Sequence, residues 1–185
     1  KDAAEALMFC YQCSLSSPEG CGSKGQDVGT CGKDANLARL QDIMLFGLKG
    51  LAAYREHARE LGMDTTEVDD VVNETLYFTM TNVNFDFDQH IPQLMKVGAA
   101  GVKAMDLLST GHTAAFGIPT PVHVSQNRAE GKGILVSGHN LDMLDKLLKA
   151  TEGKGINVYT HSEMLPAHGY PQLNKYAHLK GNIGG

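Results

Sequence analysis

The sequence contains no uninterrupted apolar run of the roughly 18 residues that a membrane-spanning helix needs, so no membrane partner is expected. With only 6 prolines in 185 residues, 42% hydrophobic and 20% charged, it is neither collagenous nor disordered, and a globular protein remains. Positive charge is not in excess: 16 Lys and Arg stand against 21 Asp and Glu, a formal −5. A mildly acidic surface repels phosphate backbones, so no nucleic acid is expected as a partner. No secretory leader is visible, and residues 1–7, ahead of Met8, read as a short extension. Cysteine is absent from residues 32–185. A secreted domain stapled by disulfides spreads its cysteines to close long loops, so that scaffold is excluded.

What is present is one local cluster: Cys10, Cys13, Cys21 and Cys31, spaced Cys-x2-Cys-x7-Cys-x9-Cys. A Cys-x2-Cys step turns two thiolates towards one metal or cluster, and the longer steps bring the other two round by a loop. Gly20, Gly22, Gly25, Gly29 and Gly32 let that loop approach closely and aim N–H groups at sulfur, while Lys24 and Lys33 can offset the negative charge of four thiolates. Spacing alone leaves three readings open: a tetrathiolate zinc knot, an iron–sulfur cluster, or unligated or disulfide-forming thiols. Zinc sites usually pair two short steps, and the wide second pair tilts the balance towards iron–sulfur.

The remainder changes class part-way. From Asp34, a candidate N-cap, apolar residues recur at Leu37, Leu40, Met44, Leu48 and Leu51, predicting a long helix to Leu61 with Gly62 as its stop. A second helix opens at Asp64-Thr65-Thr66-Glu67, with capping-box spacing, and carries Val68, Val71, Val72, Thr75 and Leu76 on one side. A third starts near Pro92 and presents Ile91, Leu94, Met95, Gly98, Val102 and Met105 on one face, with Met44, Met80, Met95 and Met105 read as core filling. Glycine and proline at 111, 117, 119, 121, 131 and 133 then suggest a linker. Ile134 to Ser137, Leu141 to Thr151 behind an Asn140 cap, and Ile156 to Thr160 read in order as βαβ. The expected fold is therefore mixed. Residues 1–33 form an extension and cysteine-rich cluster loop, 34–110 a helical bundle, 111–132 a linker, and 133–185 the start of a parallel-sheet α/β domain.

A βαβ unit lines up the C-terminal ends of its strands at one edge, where open α/β sheets hold ligands. His139 follows the first strand and His161-Ser162-Glu163 the second, so His139 and Glu163 are candidate ligands at a common point. The plainer alternatives are a hydrogen-bonding or capping role for His139 and a first-turn helix carboxylate for Glu163. His161 and His168 are candidate proton donors. Two strands do not complete a parallel sheet, so the chain is expected to be the N-terminal portion of a longer protein or one subunit of a split form.

Five stretches carry a resemblance. Met8-Phe9-Cys10-Tyr11-Gln12-Cys13, Gly29-Thr30-Cys31-Gly32-Lys33 and Leu40-Gln41-Asp42 resemble the amino terminus of the hybrid cluster proteins, also called prismane proteins or hydroxylamine reductases. Leu135-Val136-Ser137-Gly138-His139-Asn140-Leu141 and the run from Tyr159 to Pro171 resemble the segments that bring the first histidine and first glutamate to that family's hybrid cluster. The resemblance spans nearly all of Met8 to Gly185 and points to the compact subclass with a single helical bundle.

By this resemblance, Cys10, Cys13, Cys21 and Cys31 match the ligands of a proximal [4Fe–4S] or [2Fe–2S] cluster. His139 and Glu163 match metal ligands and catalytic residues at a hybrid [4Fe–2O–2S] cluster completed by downstream sequence. The implied activity is reduction of hydroxylamine to ammonia and water, or of nitric oxide to nitrous oxide, with a small N–O substrate and a redox partner protein. Hard carboxylate and borderline imidazole leave such a cluster oxygen-loving and exchangeable. Oxygen-sensitive clusters and the lack of disulfide logic imply a reducing cytoplasm. The alternatives are a single-cluster electron-transfer or zinc-stabilised binding module without a catalytic centre, and a relative of the nickel carbon monoxide dehydrogenases.

Overall fold

A computed structural model describes residues 9–16, 21, 28–80 and 83–184. Met8, Gly20, Gly22, Gly25 and Lys24, invoked above, lie outside the described residues. Two compact units divide the chain, one drawn from residues 1–55 and 65–105 and the other from 56–64 and 106–185.

The first unit is helical. Helix α1 spans Ala35–Glu60, α2 Thr66–Phe78 and α3 Phe87–Phe116. The Asp34 carboxylate accepts the Asn36 and Leu37 N–H groups at 2.8 and 2.9 Å, which caps α1 at the predicted residue. Leu37, Leu40, Met44, Leu48 and Leu51 are buried along one stripe. Cβ of a residue at Gly47 would meet Val97 at 3.2 Å, so α1 and α3 approach closely there. In α2 the N-cap is Thr65, whose hydroxyl meets the Asp69 carboxylate, and the helix is tied to α3 by the Gln93 amide donating to Thr75 Oγ1 at 2.8 Å.

Helix α3 departs from the periodicity reading. It begins at Phe87 rather than near Pro92, and residues 111–116, placed in the linker above, are its last turns. Its inward face in this unit is His90, Gln93, Val97, Ala100 and Ala104, whereas Ile91, Met95, Val102 and Met105 are exposed, Met95 by 69%. Of the four methionines assigned to the core only Met44 is buried, and Leu76 of α2 is also exposed. The physical reason is packing distance: alanines and the paired polar groups His90 and Gln93 fit a close helix contact, and bulky side chains are left outside it.

The second unit is an α/β layer. Strand β1 spans Lys132–Ser137, α4 Leu141–Thr151, β2 Ile156–His161, a 3-10 helix Ser162–Gly169, α5 Pro171–Asn174 and β3 Leu179–Asn182. The sheet is parallel in the order β1-β2-β3, so the βαβ reading holds and a third strand joins it. Leu141, Leu144 and Leu148 of α4 pack with Phe116, Val158, Met164, Leu173, Tyr176 and Leu179 to form its core. Residues 117–130 are irregular but fastened: Thr120 N–H donates to Gly169 O, Ala129 N–H to Tyr159 Oη, and Asn182 N–H to Ser125 O, at 2.8 to 2.9 Å.

Candidate metal centres

Cys10 follows Phe9 into a tight turn that α1 holds in place. The Asp42 carboxylate accepts the Tyr11 N–H at 3.0 Å, and Ser16 Oγ accepts the Cys10 N–H at 3.2 Å while its own hydroxyl points to Cys10 Sγ at 3.9 Å. Burial pushes the Asp42 carboxyl above its usual value, with the Tyr11 N–H, Lys33 and Lys49 opposing. The second half of the site is a small antiparallel bridge, Val28 with Asp34, closed by Gly29 N–H to Lys33 O at 2.8 Å and Gly32 N–H to Gly29 O at 2.9 Å. Cys31 sits at the tip of that turn. All four cysteines are free thiols; Cys10 and Cys21 are buried against Ala38, Cys31 is half-buried and Cys13 is exposed.

One small, partly open cavity is lined by Cys10, Cys13, Cys21 and Cys31 together with Gln12, Leu15, Thr30 and Lys33. All four cysteines therefore line this one cavity. Their chemistry fits a thiolate-held iron–sulfur group: four soft donors with a buried lysine in the same lining. Among the described residues, no three His, Cys, Asp or Glu side chains form a group that could hold a single metal ion.

The second candidate lies at the rim of the sheet. Register pairs Ser137 with His161, so β1 and β2 end level. Two residues beyond that pair, His139 Nε2 and Glu163 Oε2 are in direct hydrogen-bonding contact, with both side chains open to solvent. Local structure sets both. Asn140 caps α4 by accepting the Met143 N–H at 2.9 Å and donates to Glu60 at 3.0 Å, which fixes the turn carrying His139. Glu163 occupies the first turn of the 3-10 helix, immediately after Ser162 at φ 50°, a left-handed conformation that non-glycine residues seldom adopt. His161 is anchored to Ser137, Nδ1 to Oγ at 3.1 Å. An imidazole and a carboxylate converging on one exposed point are a fitting pair of ligands for iron that also binds oxygen donors.

His168 does not join them. It is buried, its Nε2 lies 2.9 Å from Thr160 Oγ1, and burial lowers its pKa, so the neutral ring is favoured. The Thr160 hydroxyl donates to Asn182 Oδ1 at 2.8 Å, so His168 serves the sheet packing. Sequence reading also missed Gln12, Gln41 and His90, which extend the cysteine site inwards; a glutamine and a histidine falling on the buried stripes of α1 and α3 were the available signal.

A sequence model of the prismane/CO dehydrogenase family matches residues 8–93 and 66–185. The chain belongs to this family. Among its curated relatives, a hydroxylamine reductase of Moorella thermoacetica is 52% identical over 177 residues, covering 96% of this chain and 41% of the relative. One of Methanothermobacter thermautotrophicus is 49% identical over 178 residues, with coverages of 96% and 41%. The chain therefore spans about two fifths of the length of the curated relatives it matches. Among solved structures, a nickel-free carbon monoxide dehydrogenase from Thermococcus sp. AM4 aligns with a TM-score of 0.67 at 15% identity, covering 96% of this chain and 42% of that one. Carbon monoxide dehydrogenase IV from Carboxydothermus hydrogenoformans aligns at 0.64, also at 15% identity, with the same coverages. These two likenesses concern the fold alone. The mixed architecture, helices followed by a parallel sheet, is that of this prismane/CO dehydrogenase family.

Proposed function

We propose that this chain forms part of an iron–sulfur oxidoreductase of the hydroxylamine reductase type. In this reading Cys10, Cys13, Cys21 and Cys31 hold a [4Fe–4S] or [2Fe–2S] cluster, and His139 and Glu163 are two ligands of a hybrid [4Fe–2O–2S] cluster. The remaining ligands come from further sequence, in the same polypeptide or in a partner chain. Bound, the two groups supply electrons for the overall conversion NH2OH + 2 H+ + 2 e− → NH3 + H2O, delivered by a redox partner protein, or for the reduction of nitric oxide to nitrous oxide.

The observation that carries the reading is the contact between His139 and Glu163 at level strand ends. An electron-transfer module needs only the cysteine cavity, and nothing in such a module calls for a strained Ser162 that aims Glu163 at His139. In this site His139 and Glu163 fix each other's orientation, and the open rim lets a small N–O compound in. Four free thiols around a cluster suit a reducing compartment, the cytoplasm. Among the described residues no helix is long and apolar enough to cross a membrane.

The test is anaerobic purification of the full-length protein with iron and sulfide analysis, EPR spectroscopy and hydroxylamine-dependent oxidation of a reduced carrier. Two iron–sulfur signals with turnover support the reading. A single cluster signal without turnover favours the electron-transfer module, and zinc without iron removes both.

A further inference from the structure

Lys33 is 2% exposed and lines the cysteine cavity. A buried cation is costly unless its hydrogen bonds and its charge are both answered. Its hydrogen bonds are answered by two amide oxygens, Gln12 Oε1 in close contact and Gln41 Oε1 at 2.9 Å. Both are neutral. Burial pushes the nearby Asp42 carboxyl above its usual value while the charge of Lys33 acts to lower it, so the two groups interact. Beyond Asp42, four thiolates and their cluster would bring further negative charge to the same cavity.

The lysine is held by a chain of hydrogen bonds with one direction. Gln41 Oε1 receives both the Lys33 ammonium and the Gln12 amide N–H, the latter at 3.0 Å, so the Gln41 amide nitrogen must face His90 Nε2, at 2.8 Å. An amide nitrogen only donates, so His90 Nε2 accepts. His90 Nδ1 lies 2.6 Å from the Asp86 carbonyl, which only accepts, so Nδ1 carries the hydrogen. Turning the Gln41 amide over would set its nitrogen against two donors. His90 is fully buried, with the Phe78 ring edge-on at 4.6 Å. Buried polar side chains on two packed helices are more than packing requires, since apolar residues of like volume usually serve stability as well.

We propose that Gln41 and His90 act as positioning residues that hold the Lys33 ammonium against the cysteine cavity, where its charge favours the reduced, more negative form of the iron–sulfur centre. The inference rests on the reading that the cysteines hold such a centre. Adding an electron makes an anionic group more negative, and a fixed cation in a low-dielectric wall stabilises that state most. Gln41 and His90 act only through Lys33.

The test is an EPR-monitored potentiometric titration of the full-length iron-loaded protein. Lys33→Met is expected to lower the reduction equilibrium about tenfold or more, with 59 mV for each tenfold in a one-electron couple. Lys33→Arg keeps the charge and restores most of the potential. Gln41→Leu shifts the potential in the same direction by less, and combined with Lys33→Met it adds nothing, the signature of action through a shared partner. Nitrogen NMR of the oxidised protein shows His90 as the Nδ1–H tautomer. Equal potentials in variants with unaltered iron and sulfide content overturn the relay, as does the opposite tautomer. If Lys33→Met loses iron, an unshifted Gln41→Leu overturns it alone. Absence of iron from the unaltered protein overturns the cluster reading instead.

Discussion

Ser137 and His161 are paired in register across β1 and β2 and joined through their side chains at 3.1 Å. This pair is the level base from which the two candidate ligands of the rim project. His139 leaves through the Asn140-capped turn and Glu163 through the left-handed Ser162, and the two meet two residues beyond the base.

Under the proposed function, Glu163→Gln and His139→Ala are expected to abolish the second iron–sulfur signal and to reduce hydroxylamine turnover by about 100-fold or more, since even outer-shell partners of metal ligands are worth 10 to 100-fold. The cysteine-held signal and the iron bound there persist. EPR with metal analysis of each variant reads both. Retention of every signal in both variants would reduce His139 to a capping residue and Glu163 to a first-turn carboxylate.

Acid sensitivity follows from two histidines, His168 buried and His112 half-buried. Burial lowers the pKa of His168, and burial together with His57 lowers that of His112, from the ordinary 6.5. Below pH 6.5 the unfolded chain binds protons that the folded protein refuses, so stability is complete above that value. It declines as the pH falls through 6.5 and stops declining below the lowered folded-state values. His168→Asn, which keeps a donor to Thr160, and His112→Asn are each expected to flatten this slope. Urea midpoints measured between pH 5 and 8 provide the check, and slopes identical to the parent's would refute the assignment.

Close backbone approach makes a contrasting pair of glycines. A Cβ at Gly181 would sit 2.1 Å from the Ser125 carbonyl oxygen, whereas one at Gly50 meets nothing within 4 Å. Gly181→Ala is therefore expected to cost about 1 to 3 kcal/mol or more, because β3 must move from residues 117–130. Gly50→Ala, inside α1, is expected to gain up to about 1 kcal/mol. Denaturant titration of both variants decides, and a tolerant Gly181 would show that the segment can give way.

Helix α1 was legible because large aliphatic side chains at Leu37, Leu40, Met44, Leu48 and Leu51 recur at the helical period and are all buried. The same rule misplaced the face of α3. There the buried positions are Val97, Ala100 and Ala104 with His90 and Gln93, and the bulkier residues are exposed, so hydrophobic size pointed the wrong way. Strand β3 was invisible because Leu179-Lys180-Gly181-Asn182 contains a glycine and a charged residue; its place is secured by β2 and Ser125.

By itself the sequence determined which donors exist and how they are grouped along the chain: four thiols within a short stretch, and an imidazole and a carboxylate each just past a β-rich run. Local spacing carries that information because turns and strand ends involve neighbours in the chain. Only tertiary structure decided that the four sulfurs share one cavity, that β1 and β2 end level so His139 meets Glu163, and that Gln41 and His90 back Lys33. His139 and Glu163 are 24 positions apart and Gln41 and His90 are 49 apart, and it is packing and register, not proximity in sequence, that set the distance within each pair.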